Sequence, residues 1–148
     1  AVARTSAQVF LFLDADLIGL NEDHIERLLF PVVNGGRAMN TGIRDRGLFF
    51  TWLSHHLPLI SGERAMLRRV FEAVPPEFMH GFMVETSLNY YCRTHKLRYG
   101  ATYLPSLHIR HKYDKVAWPL AVVQYIRMFG EVGQAMLAVR LARLFRRF

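Results

Sequence analysis

Two aspartates separated by a single alanine close the apolar run in VFLFLDADL, residues 9–17. Five large apolar residues, Val9 to Leu13, followed abruptly by charge, predict a strand buried on both faces in a mostly parallel sheet. Ligands of open α/β sheets gather outside the carboxyl ends of the strands. Residues two apart in extended chain point the same way, so Asp14 and Asp16 could present two carboxylates to one ligand. The plainer alternative is that Asp16 caps a turn and Asp14 accepts from a backbone donor.

Further along, Ser61-Gly62-Glu63-Arg64 reads as a loop dipeptide opening a helix. Amides at a helix N-terminus can hold an anion, and Arg64 could add a bidentate phosphate contact. A capping Ser61 with a solvated Arg64 explains the same residues. Glu85 lies at the predicted start of another helix, where a carboxylate also stabilises the helix end. His108 and His111 flank the segment HIRH; His55, His56 and His95 read as structural.

The elements that must position these groups follow from the rest of the pattern. Asn21 is the predicted N-cap of a helix carrying Ile25, Leu28, Leu29 and Val32 inward, with Pro31 limiting its regular part. Asn34-Gly35-Gly36 signals a turn before a short strand. Residues 47–60 predict a helix or an irregular packed segment. Residues 61–75 predict a helix with Ala65, Met66, Val70 and Phe71 inward, stopped by Pro75 and Pro76. Val84, Leu88, Tyr91 and Cys92 form a helical stripe, and residues 97–113 suit one or two short strands.

With 148 residues and an ordinary apolar fraction, the chain can bury one real core. Its single cysteine, Cys92, excludes an internal disulfide and a cysteine-rich zinc site and fits a reducing compartment. No signal-peptide pattern opens the sequence. A buried strand within ten residues of the start has few obvious partners downstream, which leads us to expect that an N-terminal half is missing.

The pieces in order, LDADL, SGERA, GFMVET and HIRHK, resemble family 2 glycosyltransferases of the GT-A fold over roughly residues 5–115. The resemblance implies a partial α/β GT-A domain, residues 1–114, with a mixed sheet, flanking helices and a long amphipathic helical tail, residues 115–148. It implies transfer of a sugar from a nucleoside-diphosphate donor to an acceptor that could be lipid-linked. Asp14 and Asp16 would hold Mg²⁺ or Mn²⁺ with the donor, Asp16 more closely, and His111, favoured over His108, would be a further metal ligand or a diphosphate contact. These are hard-oxygen and imidazole donors of the kind such ions accept. Asp14, Ser61, Gly62 and Arg64 would line the donor and acceptor site, and Glu85 would be the general base. Thr86 stands where relatives often carry a second acid beside that glutamate.

The net charge is +7, and from Arg110 onward eight bases face two acids, so the tail carries nearly all the excess. Its longest uncharged run, Val116 to Ile126, is far shorter than the roughly 20 residues needed to cross a bilayer. Trp118, Tyr125, Phe129, Leu137, Leu141, Leu144 and Phe145 among arginines suit a helix lying on an anionic membrane surface, or packed on its own domain or a partner chain. The expected location is cytoplasmic, free or peripheral on the membrane. Two further readings stand beside the enzyme. One is a non-catalytic membrane-peripheral module. The other, nucleic-acid binding, is disfavoured because the aromatics follow a helical apolar pattern rather than a stacking module.

Overall fold

The computed structural model describes residues 5–44, 61–81 and 83–109, and five single positions in the tail. In chain order the elements are β1 (Val9–Phe12), β2 (Leu17–Ile18), α1 (Glu22–Val33), β3 (Met39–Arg44), β4 (Arg64–Leu67), α2 (Arg68–Glu72), a 3₁₀ turn (Pro76–Phe78), α3 (Met83–Thr94), β5 (Tyr99–Leu104) and β6 (His108–Ile109). Four strands form one sheet in the order β1-β4-β3-β5; β2 and β6 form a separate two-stranded ribbon.

Among the described residues only β3 and β5 pair in parallel within the sheet; β4 runs antiparallel between β1 and β3. This corrects the expectation of a mostly parallel sheet around β1. Both faces of β1 are nevertheless covered. Phe12 packs on one core cluster while Val9 and Leu11 pack on the other. Each residue of β1 is only partly buried, because among the described residues the strand stands at the sheet edge.

The segment after Ser61-Gly62 is likewise a strand before it is a helix. Arg, Ala, Met and Leu all favour helices, yet residues 64–67 hydrogen-bond to β1 on one side, and β3 covers the other. Tertiary pairing overrides local preference here, and the helix begins only at Arg68. Alternation along β4 sends Ala65 to one face and Met66 to the other. Met66 joins Met39, Val70, Val74, Leu88 and Cys92 under α2 and α3, and Ala65 joins Leu28, Val32, Leu104 and Leu107 under α1.

Helix α1 starts where expected. The Asn21 side chain accepts from the His24 amide at 3.0 Å, and the Asn21 amide donates to His24 Nδ1 at 3.3 Å. A histidine thus closes a reciprocal capping box in the place more often held by Glu or Gln. His24 Nε2 lies 2.7 Å from the Pro105 carbonyl, which can only accept, so the ring carries its proton there. The buried residues of α1 are His24, Leu28 and Val32; Ile25 and Leu29 are only partly covered. Pro31 does not end the helix, which runs two residues further to Val33. Buried Asn40 donates to the Leu28 carbonyl at 3.1 Å and to Thr102 Oγ1 at 3.0 Å, tying α1 to β3 and β5.

β5, β6 and α3 fall in the segments that predicted them, and Pro75-Pro76 follows the end of α2. Residues 47–60, including His55 and His56, lie outside the described residues. So does most of the tail, with Trp118 and Phe129. Its described positions, Gly130, Gly133, Gln134, Leu137 and Leu141, are helical and exposed. Among the described residues no helix is long and apolar enough to cross a membrane.

Candidate active site at the carboxyl end of the sheet

Because β4 alone runs antiparallel, β1, β3 and β5 all end at one side of the sheet, where β4 begins. Four charged residues meet that geometry. Asp14 follows β1 by two residues, Arg44 is the last residue of β3, and Glu63 and Arg64 enter β4. Asp14 therefore does stand just past the carboxyl end of a strand, although the strand pairs differently from expectation.

Glu63 is the buried centre. It is fully inaccessible, lies in an ion pair with Arg44 (Nε to Oε2, 3.3 Å), and accepts the hydroxyl proton of Ser61 on the same oxygen. Asp14 lies close enough to Glu63 for the two carboxyl groups to act on each other. Burial first, and then the Glu63 charge, push the Asp14 carboxyl above its ordinary range, while Arg44 pulls it back and Asp16 adds a smaller push. The other side of Asp14 rests on Gly62. A Cβ at that position would overlap Asp14 Oδ1 and stand 2.7 Å from its Cγ.

Arg64 is buried to 2% exposure and turns its fork back on its own loop, with Nε at 3.1 Å and Nη2 at 2.7 Å from the Ser61 carbonyl. Burial lowers its pKa, and Glu85, Cys92, Glu63 and Asp14 each push it back up, so the guanidinium sits among three carboxyl groups. This corrects the expectation of a helix opening at Ser61-Gly62. These residues precede a strand and offer no helix N-terminus, and the Ser61 hydroxyl is spent on Glu63. The capping-box alternative, with a solvated Arg64, is excluded by the same contacts.

Glu85 lies in the first turn of α3, as its sequence position implies. Burial raises its pKa, Arg64 lowers it, and Asp14 raises it, so Glu85 belongs to the same electrostatic cluster. Its Oε2 is buried and has no hydrogen-bond partner among the described residues. Cys92, on the same helix, is a buried thiol that desolvation pushes up to about 11. It is an inert core residue.

Asp16 stands apart from this cluster. It is exposed, in a turn between β1 and β2. The two-stranded ribbon pairs Leu17 with Ile109 and Ile18 with exposed His108, so β6 ends beside the Asp14-Ala15-Asp16 turn. His111 lies outside the described residues. Among the described residues, no three His, Cys, Asp or Glu side chains are already gathered as a cation site.

Sequence reading missed Arg44 and the role of Glu63. Arg44 was detectable, since it is a charge closing a strand just as Asp14 is. Glu63 carried no signal of its own, because its importance comes from β3 bringing Arg44 beside it.

No protein-family model and no curated protein matches this chain. Solved structures do. One is glucosyl-3-phosphoglycerate synthase from Mycobacterium tuberculosis in complex with Mn²⁺, UDP-glucose and phosphoglyceric acid. It matches at 22% identity with a TM-score of 0.68, over 93% of this chain and 51% of that one. The same enzyme with Mn²⁺, UDP-glucose and glycerol 3-phosphate matches at 23% identity and TM-score 0.66, over 93% and 51%. Its complex with Mg²⁺ and UDP gives 23% and 0.62, over 96% and 51%. The fold is thus that of the GT-A nucleotide-sugar glycosyltransferases, and the chain spans about half the length of these neighbours.

Proposed function

We propose that this chain is the metal- and acceptor-side half of a GT-A glycosyltransferase, moving a sugar from a nucleoside-diphosphate donor to an acceptor hydroxyl. The observation that carries this reading is the convergence of Asp14, Glu63, Arg64 and Glu85 at the carboxyl ends of three parallel-running strands. The Mn²⁺, Mg²⁺, UDP and UDP-glucose of the solved neighbours support the donor and metal classes.

The residues present fit a divalent cation. Burial and the neighbouring Glu63 charge hold the Asp14 carboxyl above its ordinary range, so a cation placed beside it would relieve that penalty. Hard carboxylate oxygens beside a diphosphate are what Mg²⁺ and Mn²⁺ take. Asp14 and Asp16 would hold the ion, with His111 as a further ligand. When bound, the ion supplies charge neutralisation of the departing diphosphate.

The chain's own residues do the rest. Arg64 fixes the Ser61 loop and keeps three neighbouring carboxyl groups compatible. Glu85 accepts the proton of the acceptor hydroxyl as that oxygen attacks the anomeric carbon. Its raised pKa makes it a better base than an exposed carboxylate, because a base works best when poised near the operating pH. Family 2 membership is the finer proposal, resting on the four motifs in order.

The tail, residues 115–148, carries the proposals of a lipid-linked acceptor, peripheral attachment to an anionic membrane, or contact with a partner chain. Exposed Leu137 and Leu141, four apart on helical positions, support an apolar face there.

In the full-length polypeptide, Glu85→Gln should lower turnover about 10²–10⁴-fold, the usual worth of a general base. Donor affinity should stay near wild type. Near-normal turnover would remove Glu85 from the mechanism.

A further inference from the structure

We propose that Gly62 is a positioning residue for Asp14: it leaves the space in which the Asp14 carboxylate lies across the Ser61–Glu63 backbone, aimed for a divalent cation. The proposal rests on the metal reading above and adds to it a residue that never touches the metal.

Glycine is commonly required where φ is positive, as at Gly19 and Gly36 in this chain. Gly62 is not such a position; its backbone is open to any residue. What excludes a side chain there is occupancy. The three atoms nearest a Cβ at Gly62 are Oδ1, Cγ and Oδ2 of Asp14, with both Cγ and Oδ2 at 2.7 Å. No backbone atom and no other residue stands among those three.

The far wall of this space is fixed. Glu63 is fully buried and tied to Arg44 and Ser61. Arg64 holds the Ser61 carbonyl through two donors. The loop therefore cannot move aside without breaking buried charge contacts, and the short Asp14 side chain must yield instead. A methyl group at Gly62 would turn the carboxylate out of its place while leaving its chemistry intact.

The test measures Mn²⁺ affinity by calorimetry and melting temperature without metal. It compares the wild-type chain with Gly62→Ala, Asp14→Ala and the double variant. Gly62→Ala should weaken Mn²⁺ binding at least tenfold, and any loss of melting temperature it causes should vanish in the Asp14→Ala background. Coupling of that kind between neighbouring sites is what a double-mutant cycle isolates. If Gly62→Ala does not fold alone, the double variant should fold, since the obstructing carboxylate is gone.

Two results overturn the positioning role while sparing the metal reading. One is Mn²⁺ affinity within twofold of wild type in Gly62→Ala while Asp14→Ala loses it. The other is an undiminished melting-temperature loss, or failure to fold, for Gly62→Ala in the Asp14→Ala background. Unchanged Mn²⁺ affinity in Asp14→Ala, or no Mn²⁺ binding by the wild-type chain, overturns both.

Discussion

Asp14 and Asp16 belong to one three-residue motif but occupy opposite physical regimes. Asp14 is half-buried, resting on Gly62 and close to Glu63, a carboxyl group that is itself buried and paired. Asp16 is exposed in the turn leading to a two-residue strand, whose partner strand is also only two residues long. The sheet end is a packed block in which buried charged groups lie against one another. The ribbon is a short edge, two residues paired on each strand. Under the proposed function, Asp14 would be aimed in advance and Asp16 would adjust when metal and donor arrive.

The largest effect expected from this contrast is on the sheet end. Arg64→Met removes the buried cation that faces Asp14, Glu63 and Glu85. Leaving buried charge without its partner typically costs about 3–5 kcal/mol, so chemical denaturation should show a loss of that order. A change below about 1 kcal/mol would mean that the carboxyl groups do not depend on Arg64.

The next effect is a pH dependence at Glu85. Its carboxyl is held above its ordinary value of 4.5 mainly by burial. The folded chain therefore binds this proton more tightly than the unfolded chain. The contribution of Glu85 to stability is greatest at low pH and falls as pH rises from the ordinary value through the raised one. Glu85→Gln should accordingly be more stable than wild type at neutral pH, with the difference vanishing below 4.5. A difference independent of pH would show that the carboxyl is not displaced.

The smallest effect belongs to the ribbon. Asp16→Asn, at an exposed turn, should change stability by no more than about 0.5 kcal/mol. A larger loss would show that the turn is part of the block rather than its edge.

How legible was this in the sequence? Local signals carried far. Asn21 announced a cap, and Pro75-Pro76 announced the end of a helix. The abrupt charge after Leu13 announced the end of a strand. The failures share one cause, pairing between distant segments. Residues 64–67 have the composition of a helix and become a strand because β1 and β3 flank them. Glu63 and Arg44 become partners through the same pairing. The sequence points Arg64 outward, to a phosphate or to solvent, and instead its guanidinium bonds back to the Ser61 carbonyl, which only the closure of β4 onto the sheet could reveal.

The central claim is that the two unlike aspartates hold one divalent cation, and Mn²⁺ titration of the chain tests it most directly. Wild type should bind Mn²⁺, and Asp14→Asn and Asp16→Asn should each weaken binding at least tenfold, Asp16→Asn doing so with its metal-free melting temperature unchanged. Equal Mn²⁺ affinity in all three proteins would contradict it.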